Sequence, residues 1–175
     1  MITRQGFTII EMLIAFSIIA ILVTLGTSAY SKMNDRQVLI SSGQTLESAI
    51  RDAQSRAYTG ELVCGAGGCT CSDTSQALSG WLVDLRTMQI RGICTTTTQT
   101  FSPRSLAFPS GIQISPYPGS PTGYLFRNQP VGVSTGGTIC ISKSGLSNMY
   151  YVVNISQSGL ISDRQGIVNS CAPGP

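Results

Sequence analysis

The chain has 175 residues, of which 42% are hydrophobic and only 11% charged, and it carries a net charge of +3. That length admits one ordinary domain with an appendage. The cations are dispersed, without any run of Lys or Arg, so the footprint of a dedicated nucleic-acid binder is missing.

The first element is an apolar run. Twelve of the fourteen positions from Met12 to Leu25 are hydrophobic, the exceptions being Ser17 and Thr24. One carboxylate, Glu11, stands near its start. A lone charge in lipid costs roughly 2.5–3.5 kcal/mol, so this acid needs a reason. A helix from Phe7 to Tyr30 would be about 36 Å long, enough to span a bilayer. An ordinary secretory signal is one reading, with Arg4 in its basic leader and cleavage after Thr27-Ser28-Ala29. A plain single-pass anchor is another. Neither accounts for Glu11, or for a polar leader that ends in Gly6 just before Phe7.

The stretch Gly6-Phe-Thr-Ile-Ile-Glu-Met-Leu-Ile14 resembles the type IV pilin signature. The resemblance implies that a prepilin peptidase cuts after Gly6, the last leader residue, and N-methylates the new N-terminus at Phe7. Residues 7–30 would then stay as a transmembrane helix in the precursor and a core helix in the filament. Glu11 would hold the family's acid position for assembly. Physical chemistry agrees with that role, because a buried charge is tolerable only when paired. The amine created on Phe7 of a neighbouring subunit would neutralise Glu11 and set the axial register. The simpler alternative is an acid placed near a helix N-terminus, where the macrodipole favours it. The implied partners are other pilin or pseudopilin subunits, the peptidase/methyltransferase, an inner-membrane assembly platform and, before assembly, membrane lipid. The implied location is the bacterial inner membrane, with the C-terminal part outside the cytoplasm, and then a periplasmic or extracellular filament.

The second element continues the first. No proline precedes Pro103, so one helix can run on to about Tyr58. Leu39, Leu46, Ala49, Ile50, Ala53 and Ala57 form one apolar stripe at helical spacing. Glu47 with Arg51 and Asp52 with Arg56 are acid-to-base pairs at i, i+4. Thr59-Gly60 supplies a stop signal. Gly26 and Gly43 are weak points, each costing about 1 kcal/mol relative to Ala. Many pilins unwind near the place of Gly26, but the frequent proline of that region is missing here.

Beyond Gly60 the chain reads as β-rich. Expected strands are Trp81–Leu85 and Met88–Cys94 around a turn at Arg86-Thr87, then Leu106–Phe108, Ile112–Ser115, Tyr124–Arg127, Thr138–Ser142, Tyr150–Ser156 and Leu160–Ser162. The fold class is therefore α+β, a long helix whose amphipathic part (31–59) packs on an antiparallel sheet formed by residues 60–175. Leu46–Ala57, Thr138–Ser142, Tyr151–Ser156 and Ser158–Ile161 resemble H-type pseudopilins of type II secretion and related minor pilins.

Six cysteines, Cys64, Cys69, Cys71, Cys94, Cys140 and Cys171, all follow the apolar run. An even number beyond an export segment reads as disulfides rather than zinc, for which Cys69-Thr-Cys71 is too tightly spaced. Six cysteines allow 15 pairings, and only those joining Cys69 to Cys71 are removed by strain. Among the rest, Cys140–Cys171 is favoured because it would pin the tail to a central strand. The other four would form two bridges tying the Gly-rich loop to the hairpin.

The sequence reads as non-enzymatic, with no cofactor, metal or catalytic residue. Gly132-Val-Ser134-Thr-Gly136 matches a hydrolase elbow, but the chain has no histidine to serve as base. It reads as a turn. Asn154-Ile-Ser156 fits a glycosylation acceptor that falls inside an expected strand. The functional expectation is a structural subunit, a minor pilin or pseudopilin, of a type IV pilus or type II secretion-like filament. One alternative is a DNA-binding or adhesive tip subunit using Arg91, Arg104, Arg127 and Arg164, although removal of Arg4 leaves ten basic against eight acidic side chains. The other is a secreted soluble protein cut after Ala29.

Overall fold

A computed structural model describes residues 8–62, 64–65, 68–69, 71, 77–95, 100–128 and 130–173. Gly6 and Phe7 lie outside these residues.

One helix, α1, runs without a break from Ile9 to Thr59, 51 residues, or about 75 Å. Thr8 caps its start. Gly60 ends it in the left-handed conformation (φ 66°), with Gly60 N–H donating to the Ala57 carbonyl at 3.2 Å and Glu61 N–H to the Arg56 carbonyl at 2.9 Å. Gly tolerates this φ because it has no Cβ. The burial stripe starts at Leu39, where the apolar spacing expected it. Leu39, Leu46, Ile50, Ala53 and Ala57 are all fully buried.

Eleven strands follow among the described residues. β1 (Cys64–Gly65) and β2 (Gly68–Cys69) make a small hairpin. β3 (Leu78–Asp84), β4 (Gln89–Cys94), β5 (Thr100–Ser105), β7 (Gly123–Asn128) and β8 (Val131–Val133) form a five-stranded sheet in the order β5-β4-β3-β7-β8. β6 (Ile112–Pro116), β9 (Gly137–Lys143), β10 (Tyr150–Ile155) and β11 (Ile161–Val168) form a second sheet in the order β11-β10-β9-β6. All pairings are antiparallel. The stripe of α1 packs on β3 and β7 of one sheet and on β9, β10 and β11 of the other.

The single expected sheet is thus two. Pro118 and Pro121 lie between β6 and β7, where the chain crosses from one sheet to the other, and residues without an N–H cannot continue a ladder there. Leu106–Phe108 is not a strand. Its apolar side chains pack on the core from a loop, and the pairing is made by Thr100–Ser105 before it. Pro103 is tolerated in β5 because β5 is an edge strand whose register shifts opposite Ile90–Gly92. Val131–Val133 pairs with β7 where a turn was expected. The strand expected at Leu160–Ser162 extends to Val168 as Ile161–Val168. A bulge opposite Tyr151–Val153 and the polar Asp-Arg-Gln-Gly run hide its alternation.

Gly43 has a positive role in the fold. A Cβ there would lie 2.3 Å from the ring of Tyr151, so the missing side chain is what lets β10 approach the helix. The Tyr151 hydroxyl donates to Asp163 at 3.0 Å and lies 3.4 Å from Glu47 Oε2. At the far end of the stripe, the Arg56 guanidinium sits 5.2 Å from the Trp81 ring centroid, and Trp81 Nε1–H donates to the Glu61 carbonyl at 3.2 Å. Together these contacts fix both ends of the buried stripe to the β part.

Candidate assembly interface

The first turn of α1 builds the site around Glu11. Glu11 N–H donates to Thr8 Oγ1 at 3.3 Å. Glu11 Oε2 in return accepts from Thr8 N–H at 3.1 Å and from the Thr8 hydroxyl at 3.2 Å. This is a reciprocal capping box, which satisfies two donors that a helix start leaves open. Among the described residues Glu11 Oε1 has no partner. The acid thus serves its own helix through one oxygen. Thr8-Ile-Ile-Glu11 ahead of an apolar run is the sequence signature of such a box.

Around and just beyond Glu11, from Ile9 to Val23, the large apolar side chains of the helix are exposed. Ile9, Ile10, Met12, Leu13, Ile14, Phe16, Ile18, Ile19, Ile21, Leu22 and Val23 are between 50% and 87% exposed. The two polar interruptions are satisfied within the helix. Ser17 Oγ donates to the Ile14 carbonyl at 2.8 Å and Thr24 Oγ1 to the Ala20 carbonyl at 2.6 Å. Hydroxyls bonded this way do not need water, so the whole surface of this half suits an apolar environment. Among the described residues no helix is long and apolar enough to cross a membrane.

The cysteines are brought together in the β part. Cys140 on β9 is bonded to Cys171 in the tail, with Cα atoms 5.9 Å apart, and Cys71 to Cys94 at the end of β4, with Cα atoms 5.6 Å apart. Cys64 and Cys69 stand opposite each other in the backbone register of β1 and β2. Cys71–Cys94 is one of the ties expected between the loop and the hairpin.

The four arginines do not share a face. Arg91 pairs with Asp84 at 3.2 Å on the side of the five-stranded sheet away from α1, while Arg104 turns toward the helix and pairs with Asp52 at 3.5 Å. Arg164 lies in the other sheet and donates to the Pro173 carbonyl at 2.7 Å. Arg127 is exposed on β7. Asn154 lies mid-strand in β10, where its side-chain oxygen accepts from the Thr138 hydroxyl at 2.8 Å. Ser134 follows β8 and is exposed.

One comparison with known proteins bears on this geometry. The chain carries a prokaryotic N-terminal methylation motif, matched over residues 1–27. That motif supports a type IV pilin-like family, one of structural subunits rather than enzymes. It covers the leader, Glu11 and the exposed apolar helix, and it stops before the buried stripe. No curated protein and no solved structure matches the chain.

Proposed function

We propose that this chain is a minor pilin or pseudopilin, a structural subunit of a type IV pilus or type II secretion-like filament. The observation that carries the reading is the unbroken helix α1, buried from Leu39 to Ala57 yet apolar and exposed from Ile9 to Val23. Each large apolar side chain held in water forgoes about 1.5–3 kcal/mol of burial. So long an exposed surface implies a covering, by lipid in the precursor and by sister helices after assembly.

In this reading residues 1–6 are a leader that prepilin peptidase removes. Residues 7–30 anchor the precursor and then form the filament core. Residues 31–59 carry the β part. Glu11 keeps its capping box while Oε1 accepts from the methylated amine of Phe7 in a neighbour. The subunit does no chemistry, and a separate assembly ATPase supplies the energy.

Mass spectrometry of the N-terminus of the native protein tests this. N-methylated Phe7 is the expected result. An N-terminus at Tyr30 would overturn it in favour of a secreted protein, although the Ala29–Tyr30 bond lies inside the continuous helix.

A further inference from the structure

We infer that Lys32 and Arg36 form a docking surface for anionic phospholipid headgroups. The inference rests on the membrane-anchored precursor proposed above. Tyr30, 76% exposed, lies about 32 Å along α1 from Ile9, close to the roughly 30 Å thickness of a bilayer's hydrocarbon core. An exposed aromatic at that point belongs at the lipid–water boundary. Lys32 and Arg36 follow about 3 and 9 Å further along, at headgroup depth. Long basic side chains there lay their stems on apolar surface and lift the charge toward phosphate.

The local charge pattern suits that partner. Lys32 and Arg36 are one helical turn apart and share a face, where with Met33 and Gln37 they line a concavity of about 520 Å³. Both are exposed. The acid between them, Asp35, is held by Lys143 at 3.4 Å and is thereby turned to the β part. Among the described residues neither Lys32 nor Arg36 has an acidic partner. The proposed topology puts both on the non-cytoplasmic side, where basic flanks are disfavoured. Two bases retained there without a protein partner fit a lipid one.

The test uses the full chain in nanodiscs of mixed phosphatidylcholine and phosphatidylglycerol, with native mass spectrometry counting the lipids that stay bound. One basic residue near an anionic surface contributes a preference of roughly fivefold, so the pair contributes roughly 25-fold. Wild type is expected to retain phosphatidylglycerol over phosphatidylcholine, and K32Q/R36Q to lose that preference. R86Q/R127Q removes the same net charge from exposed sites on the β part and is expected to keep it. Equal retention by wild type and K32Q/R36Q, or equal loss in R86Q/R127Q, overturns the inference. Alkaline extraction of the same chain from vesicles reports insertion separately. Release from the membrane there overturns the anchored precursor and this surface with it, whereas resistance without lipid preference overturns the surface alone.

Discussion

At the scale of single residues, two buried tyrosines make opposite demands. Tyr151 packs its ring on Gly43 and donates its hydroxyl to Asp163, with Glu47 alongside. Removing that hydroxyl in Tyr151→Phe leaves a half-buried carboxylate without its donor, and a loss of about 1.5–3 kcal/mol is expected. Tyr124 is fully buried, and its hydroxyl has no well-formed hydrogen bond. Tyr124→Phe should therefore be neutral or stabilising, because it removes an unsatisfied polar atom. Denaturant titration of both variants, followed by Trp81 fluorescence, checks the contrast. Equal losses in the two would mean that the hydroxyl of Tyr124 has a partner. Burial pushes Tyr124 up to about 12. It also raises Tyr151, with the nearby Asp163 and Glu47 charges adding to the effect. The folded chain thus holds both protons more tightly than the unfolded one. Their contribution is intact below pH of about 10, the ordinary tyrosine value, and is lost as pH rises toward 12. An alkaline titration of tyrosinate absorbance should show these two ionising late, together with unfolding. Gly43→Ala is expected to destabilise by about 1–3 kcal/mol through overpacking on the Tyr151 ring, despite the gain in helix propensity of about 1 kcal/mol.

Among the elements, the disulfides decide how firmly the loops are held. Cys71–Cys94 spans 23 residues and Cys140–Cys171 spans 31, so chain entropy assigns each about 3–4 kcal/mol. Cys140→Ala/Cys171→Ala should free the tail and cost about that much in thermal unfolding. The register of β1 and β2 places Cys64 opposite Cys69, and a bridge between them closes a much smaller ring, worth about 2 kcal/mol. Peptide mapping under non-reducing conditions should recover Cys64 linked to Cys69, and recovery of any other partner for either would refute that pairing. The same elements mark where the sequence was readable. Strands that are short, mostly apolar runs, such as Tyr150–Ile155 and Gly137–Lys143, stood out because most of their residues are buried on both faces. β5 did not, because Pro103 reads as a strand breaker until a free edge and a register shift accommodate it. β11 did not, because its middle is polar and bulged. The division into two sheets depends on which distant strands pair, and no local pattern carries that information. For Glu11 the position was legible from the motif, and its local partner is written in the spacing Thr8-Ile-Ile-Glu11.

For the whole molecule, one helix has two parts with different surroundings, one buried and one exposed. From Leu39 to Ala57 the helix belongs to the hydrophobic core of the β part, and removing its side chains leaves cavities. From Ile9 to Val23 it contributes nothing to that core, since the large apolar side chains there stay exposed. Stability and assembly should therefore respond to different halves. Ile50→Ala, at a fully buried position, is expected to cost about 2–5 kcal/mol and to lower the unfolding temperature of the full chain in detergent. Ile14→Ala, at a position 53% exposed, should leave that temperature unchanged while weakening incorporation into filaments. Glu11→Ala should behave as Ile14→Ala in unfolding. It opens the capping box at a local cost of about 0.5–2 kcal/mol, and that turn touches no other element. Thermal unfolding read by Trp81, which is 2% exposed, combined with quantification of each variant in sheared filaments, separates the two responses. A drop in unfolding temperature for Ile14→Ala or Glu11→Ala as large as that for Ile50→Ala would mean that the first half of the helix folds back on the β part. In that case the exposed apolar surface would not be an assembly interface.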